Sequence, residues 1–348
     1  MMAERDLKNM DIDELKKLVA EMGEEEYRAT QIFKWIYKGI KSIDEMTDLP
    51  KSLKEKLKAD YYITSIEILE RVRSGEDTVK YAFKLEDGNV IESVLMGYRY
   101  GYSVCVSSQV GCGMGCLFCA STIGGVVRNL KASEMVDQVL KIGLDIGCRI
   151  SNVVIMGSGE PLLNFDEVVK FIKLLNSKEG LNIGMRHITI STCGIVPGIR
   201  RLAVLKLPIT LSVSLHAPTD VLRERLMPIN RKYPIRELME VCRYYIKSTG
   251  RRITFEYVLI EGINDKMEDA RMLAKLLKGM LCNVNLIPLN VVEERPFKRP
   301  SKERVLNFRN ILMENGINVT IRREMGIDIN AACGQLRRRL LKNLKEGE

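Results

Sequence analysis

The sequence predicts an α/β protein built as a partial (β/α)6, TIM-like barrel with a helical domain in front of it. Three observations carry that expectation. Strand and helix patterns alternate from Ser103 onward, which calls for a parallel sheet with right-handed crossovers. Six or so such units occupy about 225 residues, too few for a closed eight-fold barrel. Residues 1–60 carry helical periodicity and no β-branched run, and residues 61–97 change to short strand-like runs. The expected boundaries are 1–60 for a helical accessory domain, 61–97 for a β-rich connecting segment, 98–328 for the barrel and 329–348 for a C-terminal segment with a basic tail.

Taken in order, Leu15, Leu18, Val19 and Met22 mark one amphipathic helix and Ile32, Trp35 and Ile36 another, with Gly39 and Pro50 as punctuation. The runs YYITSIEILERV, TVKYAFKLEDG and NVIESVLMG read as a meander joining the helical cap to the main body. The barrel strands are expected at SVCVSS, NVVIM, HITIS, ITLSVSL, ITFEYVLI and VNLIPL, with a last one at INVTIRR. Helical patterns fall between them near 132–146, 165–177, 197–204, 234–247, 267–278 and 302–315. In such sheets the chemistry sits at the C-terminal strand ends, in the loops that lead into the helices.

Apolar residues make up 46% and charged residues 28% of the 348 residues, an ordinary globular composition. No run approaches the eighteen or so apolar residues of a membrane span. The start, MMAERDLKNMDIDELKK, has neither an apolar signal core nor Arg/Ser-rich transit character. A secreted, membrane or disordered protein is therefore not expected. The net charge of +9 is uneven: residues 181–260 sum to +8 and residues 301–348 to +4, whereas residues 1–60 and 61–180 each sum to −2. Clustered basic charge suits a phosphate backbone, and equally suits a solvated face rich in ion pairs.

The nine cysteines form an odd set, and only two histidines, His187 and His216, are present. That argues for a reducing, cytoplasmic compartment and for metal or redox use of thiols rather than a disulfide framework. The loop after the first barrel strand reads GCGMGCLFCAS, setting Cys112, Cys116 and Cys119 in a C-x3-C-x2-C array with Phe118 before the last. Gly111, Gly113 and Gly115 would give the backbone freedom to turn three thiolates toward one centre. Thiolates select zinc or an iron–sulfur cluster. Zinc would want a fourth ligand, and no His or paired Cys follows at a suitable distance. A four-iron cluster on three cysteines keeps one iron open.

The array with its aromatic residue resembles the signature of the radical S-adenosylmethionine (SAM) enzymes, whose fold is a partial (β/α)6 barrel. The resemblance implies one [4Fe-4S] cluster per chain on Cys112, Cys116 and Cys119, with SAM chelated by the open iron. It also implies SAM contacts on successive strand ends: Gly159 and Glu160 in GSGEP, Ser191 after HITI, Ser214, Leu215 and His216 after ITLSV, and Asn290 after VNLIPL. In that reading the Glu160 carboxylate accepts an ammonium. Each residue alone is a plain cap or turn, but together they converge on one rim.

The strings SVCVSSQVGC, GEPLLN, SLHAP, RLMPIN, VNLIP, TIRRE and AACGQLR are similar to the RlmN family of RNA adenine C2-methyltransferases over nearly all of residues 75–340. The N-terminal helices suit that family's RNA-binding accessory domain. The resemblance implies that Cys333 carries the methyl group as S-methylcysteine and that Cys105 resolves the RNA–protein adduct by forming a disulfide with Cys333. Two SAM molecules are then used per turnover. An external electron donor serves the cluster, and thiols reopen the disulfide. The same resemblance makes Glu92 a proton acceptor; alternation sets it on one face with Val90 and Val94, where burial would raise its pKa. The implied substrates are 23S rRNA near the peptidyl-transferase centre and the adenosine beside the anticodon in tRNAs, handled by a monomer. Arg322, Arg323 and Arg337, Arg338 and Arg339 flank Cys333 and would hold phosphates.

This chain departs from the family pattern at Ser158, where Met is usual, and at Cys193. Cys148, Cys193, Cys242 and Cys282 are expected as small buried hydrophobes. Two alternatives are weighed on the residues, a C8-methylating resistance-type relative with the same cysteines and a non-catalytic iron–sulfur RNA-binding protein; a third, a methylthiolating enzyme, is disfavoured because the remaining cysteines are scattered singly. The non-catalytic protein would need neither Cys105 nor Cys333. The methylthiolating enzyme would need a second grouped set of cysteines.

Overall fold

The computed structural model describes residues 5–75, 78–292 and 294–322, together with Leu336. The N-terminal helices are α1 (Ile12–Glu21), α2 (Tyr27–Tyr37) and α3 (Lys51–Asp60). A capping box opens α1: Asp11 accepts from the N–H groups of Asp13 and Glu14, and Glu14 accepts from the Asp11 N–H. Such a cap is worth about 1 kcal/mol. Their apolar stripes, among them Leu15, Val19, Ile32, Phe33, Ile36 and Leu53, join one core continuous with the rest of the chain.

The helical cap is anchored by charge as well. Lys8 and Asp137 form a fully buried ion pair at 2.7 Å. The Lys8 ammonium also donates to the Thr64 carbonyl, and the other Asp137 oxygen accepts the Ile66 N–H at 2.7 Å. A short parallel bridge between β1 (Arg5–Asp6) and β2 (Tyr61–Tyr62) closes the ends of the cap.

The strands that follow are β3 (Glu67–Ser74), β4 (Thr78–Lys84), β5 (Val90–Tyr98) and β6 (Gly101–Cys105), then a hairpin of β7 (Gln109–Gly111) and β8 (Val126–Asn129). From there helix and strand alternate: α4 (Ala132–Ile146), β9 (Ile150–Ile155), α5 (Phe165–Asn176), β10 (Ile188–Thr192), α6 (Val196–Leu205) and β11 (Thr210–Ser214). Next come α7 (Asp220–Leu226), α8 (Ile235–Thr249), β12 (Ile253–Leu259), α9 (Met267–Leu277), β13 (Cys282–Pro288), α10 (Lys302–Glu314) and β14 (Asn318–Ile321). The expected alternation is present, strand for strand. The seven-residue α7, held between Pro218 and Pro228, is an addition that is too short to show helical periodicity.

The main sheet has ten strands in the order β14-β13-β12-β11-β10-β9-β6-β5-β4-β3, an open arc. One expectation needs correcting. The 61–97 meander is not a separate connector but the antiparallel wing of the same sheet, because β6 pairs antiparallel with β5 and parallel with β9. Only Arg99 and Tyr100 separate β5 from β6, and so short a turn permits only an antiparallel return.

Across the parallel part, residues alternate between two environments. Ile188, Ile190, Leu211, Val213, Phe255, Val284 and Leu286 are buried in the apolar core that takes in the surrounding helices. The opposite face presents polar residues in register: Ser191, Ser212, Thr254 and Asn283 in one layer, and Ser214, Glu256, Asn285 and Thr320 in the next.

Lys8→Met is expected to lower unfolding free energy by about 3–5 kcal/mol in a urea titration, because Asp137 is left buried without its cation.

Candidate active site

The cysteine loop spans the turn from β7 to β8. At Gly111, φ is +78°, and an added Cβ would lie 2.1 Å from the Gly125 carbonyl oxygen. Glycine alone lets the hairpin close there, and the Cys112 N–H then donates to that carbonyl at 2.9 Å. Gly113, expected to serve the same backbone purpose, does not have a positive φ; an added Cβ there would lie 3.2 Å from a Val126 methyl carbon, so its lack of one leaves room for that side chain. The Thr122 hydroxyl lies within hydrogen-bond reach of the Cys116 and Cys119 carbonyls at 3.1 and 2.9 Å, and Arg295 donates to that hydroxyl at 3.2 Å.

Cys112 and Cys116 are buried and Cys119 is half-buried. Burial pushes the Cys116 thiol up, and the nearby Cys119, Cys112 and Glu160 push it the same way, while Arg223 opposes them. Cys112 is also raised by burial, but the N–H groups of Met114 and Gly159 donate to its sulfur and favour the thiolate. No three His, Cys, Asp or Glu side chains among the described residues are gathered as a single-ion site. Three thiols on one loop, with backbone donors at Cys112, are a donor set that fits a four-iron cluster with one open iron.

The loop after β9 meets this turn. Gly159 has φ +111°, and a Cβ there would approach the Gln109 backbone nitrogen to 2.7 Å. Glu160 is buried, with its backbone N–H donating to the Gln109 side chain at 2.8 Å. Its carboxylate accepts from Leu162 N–H, the Thr192 hydroxyl and Cys193 N–H at 3.0, 2.7 and 2.7 Å. The Cys193 thiol bonds the same carboxylate, and burial lifts the Glu160 pKa. As it stands, the carboxylate binds the rim together; accepting an ammonium requires it to release one of these donors. Ser158, the departure from the family pattern, is buried and bonds Ser121 and Ser107 at 3.2 and 3.0 Å.

Ser191 and Ser214 are half-buried near the ends of β10 and β11, and Leu215 is buried. His216 has φ +58° and packs edge-on against Phe118 of the cysteine loop at 4.9 Å. Its Nδ1 accepts the Val258 N–H at 3.0 Å, which fixes the neutral ring with its proton on Nε2. Burial, and secondarily the charge of Arg223, pulls its pKa down to about 3. Asn290 is exposed in the segment after β13.

Cys105 ends β6 and is paired across the sheet with Val94 of β5. Glu92, two residues earlier on β5, therefore shares its face. Glu92 is buried as alternation implied, but not alone: Lys80 on β4 holds it at 3.3 Å, both side chains being nearly inaccessible. A buried ion pair thus replaces the lone desolvated carboxylate expected from sequence. The Ser107 hydroxyl donates to the Glu92 carbonyl at 2.7 Å and accepts from Ser158 N–H, tying this face to the rim. Cys333, Arg323 and Arg337–Arg339 lie outside the described residues. Leu336 is described: it is buried in a small apolar cluster with Ala82 and Val90. Ala82 is the cross-strand partner of Glu92.

Sequence reasoning missed Lys80, Ser107, Gln109 and Arg223. Gln109 stood inside a quoted string, whereas Arg223 gave no signal beyond its charge. Of the cysteines expected as buried hydrophobes, Cys242 and Cys282 are buried, Cys148 is exposed, and Cys193 is buried but hydrogen-bonded to Glu160.

The parallel arc and the three-cysteine loop after its first strand define a radical SAM protein. Residues 106–276 match the family model described as the radical SAM superfamily, and residues 5–63 match the ribosomal RNA large subunit methyltransferase N-terminal domain. A radical SAM methyltransferase from Sphaerobacter thermophilus superposes with a TM-score of 0.90 at 46% identity, covering 95% of this chain and 98% of that one. Proteins named probable dual-specificity RNA methyltransferase RlmN are similar over almost the full length. That of Alkaliphilus oremlandii is 57% identical, covering 97% of this chain and 99% of the relative. That of Clostridium tetani is 54% identical, covering 97% of each. The chain belongs to the RlmN family. No helix among the described residues is long and apolar enough to cross a membrane.

The low pKa of His216 carries a pH signature. The unfolded imidazole takes up a proton near pH 6.5 while the folded one resists to about 3. Stability from this group is therefore lost as pH falls through that window, at up to about 1.4 kcal/mol per pH unit. Against wild type, His216→Asn is expected to flatten the fall measured by denaturant titration between pH 6.5 and 5, since Asn can accept the Val258 N–H but cannot protonate.

Proposed function

We propose that the chain methylates C2 of adenosine in RNA, using Cys333 as methyl carrier and Cys105 as resolving thiol. One observation carries the reading. Cys105 and Glu92 share a sheet face, and Leu336, three residues beyond Cys333, is buried against Ala82 and Val90 on the same face. The reading requires Cys333, three positions before Leu336, to reach Cys105 across this face.

Adenine C2 is an electrophilic carbon and offers SAM no nucleophile, so direct displacement fails there. A thiolate is nucleophilic enough to take the methyl first. Cys333 therefore attacks one SAM, forming an S–CH3 bond and releasing S-adenosylhomocysteine. Cys112, Cys116 and Cys119 would hold the four-iron cluster. When bound, it supplies the electron for reductive cleavage of a second SAM, whose 5′-deoxyadenosyl radical removes a hydrogen atom from that methyl group. The methylene radical adds to C2. Loss of the C2 proton to a base on this face and of one electron, which the cluster would take back, leaves a closed-shell S–CH2–C2 link that ties RNA to Cys333. Cys105 attacks the Cys333 sulfur, the S–C bond breaks toward carbon, and the freed methylene takes a proton to become the new methyl group. Glu92, poised beside Lys80, is the carboxylate for proton transfer on this face, and external thiols reduce the Cys105–Cys333 disulfide.

Gly159, Ser191, Ser214, Leu215, His216 and Asn290 would line the SAM site, with Glu160 bracing it. The substrates in this reading are 23S rRNA near the peptidyl-transferase centre and the anticodon-adjacent adenosine of tRNA. Exposed Arg322 and the basic residues after it would hold phosphates. The enzyme would work as a cytoplasmic monomer fed by an external electron donor.

The test is nucleoside mass spectrometry of RNA treated anaerobically with reconstituted protein, SAM and reductant. 2-Methyladenosine is expected with wild type, and a drop below detection with Cys333→Ala. 8-Methyladenosine would move the chain to C8 chemistry. No methylated adenine despite an intact cluster would overturn the proposal.

A further inference from the structure

Arg223 is the largest of the fully buried side chains, at 0% exposure. Its guanidinium forms no ion pair among the described residues. Its four hydrogen bonds go to neutral oxygens: Cys193 O at 2.7 Å, Asn230 Oδ1 at 2.9 Å, and Ser214 O and Tyr233 O at 3.3 Å each. Its Nε is buried with no acceptor. Removing a guanidinium from water without an anionic partner costs several kcal/mol, so a buried cation normally has one. The carbonyls explain how Arg223 is held, not what balances its charge.

Its neighbours supply the candidate. The α7 helix that carries Arg223 is tied to the cysteine loop by a bond from Leu117 N–H to Leu226 O at 3.0 Å, and Pro228 lies 3.6 Å from where a Gly115 Cβ would be. Cys193, Cys116 and Asp220 are within electrostatic reach of the guanidinium and favour its charged form, but Asp220 acts only at one remove, through the Asn230 amide that bonds both. Three thiolates around a four-iron cluster carry net negative charge, which grows by one on reduction. The charge missing beside Arg223 thus has a source across the Cys116 side of the loop.

We propose that Arg223 is the buried counter-cation of the thiolate-held cluster, a positioning residue whose charge raises the cluster's reduction potential while its planar fork fixes the ends of β10 and β11. This rests on the reading of Cys112, Cys116 and Cys119 as cluster ligands. A fixed positive charge stabilises the more negative reduced state in a low-dielectric interior, so the electron enters more readily.

Three variants separate charge from scaffold. Arg223→Gln removes the charge, Arg223→Lys keeps it without the fork, and Asn230→Asp sets a carboxylate against the guanidinium while leaving Arg223 in place. After anaerobic reconstitution of the full chain, iron and sulfide are counted and the midpoint potential is read by EPR during titration with dithionite. Wild type and Arg223→Lys are expected to titrate at similar potentials, with Arg223→Gln and Asn230→Asp at more negative ones. Should Arg223→Gln hold no cluster, Asn230→Asp decides alone. Loss of the cluster in both, with retention in Arg223→Lys, also supports the proposal. Unmoved potentials in the charge-altering variants, or equal shifts in Arg223→Lys and Arg223→Gln, overturn it. A wild-type chain that binds no iron removes the cluster reading itself.

Discussion

A single buried carboxylate, Glu160, holds together the part of the molecule where chemistry is expected. Its oxygens gather Leu162, Thr192 and Cys193, which joins the loops after β9 and β10. Its backbone N–H takes the side chain of Gln109, the first residue of the strand that leads into the cysteine loop. Arg223 then extends the network from the Cys193 carbonyl to that of Ser214 on β11. Burial disfavours charge on this carboxyl, and the bonds from Cys193, Leu162 and Thr192 oppose that cost. The same bonds make it a poor place for slack, so the cluster loop and the strand ends are held as one piece.

The sheet beneath that rim departs from the usual economy of a barrel. Parallel barrels commonly fill their interior with layers of branched apolar side chains. Here one layer is Ser191, Ser212, Thr254 and Asn283, and the next includes Glu256, bonded to Ser212 and to Asn285. Burial lifts the Glu256 pKa, with both bonds opposing the rise. Small hydroxyl and amide groups leave both space and hydrogen-bonding capacity, which suits a nucleoside-bearing ligand better than an apolar plug would. In the proposed mechanism the antiparallel wing would supply the second half of the site, since β6 belongs to both parts of the sheet and ends at Cys105.

Much of this was legible in the sequence because it depends on local patterns. Alternation of strand and helix periodicities located each parallel strand, and the spacing of Cys112, Cys116 and Cys119 identified the loop without any tertiary information. The polar partners were not legible, because each depends on segments far apart in the chain. Lys8 meets Asp137 across 129 positions, and Lys80 meets Glu92 only through the register of β4 on β5. Arg223 sits in a seven-residue helix among other charged residues, where composition suggests a solvated surface rather than a fully buried cation. Glu160 lies in the loop after β9, where GSGEP puts it, and its carboxylate is engaged by protein donors that no local pattern reveals. The exposed Cys148 follows the left-handed Gly147 that ends α4, a turn that carries it out of the core.

The central claim is that Cys105 and Cys333 act in sequence on one RNA-bound carbon. The most direct measurement is intact and peptide mass spectrometry of Cys105→Ala purified after exposure to RNA, SAM and reductant. An RNA fragment joined through one carbon to the peptide bearing Cys333 is expected, because the thiol that breaks the S–C bond is missing. Free methylated RNA produced by Cys105→Ala at the wild-type rate, with no adduct on Cys333, would contradict it.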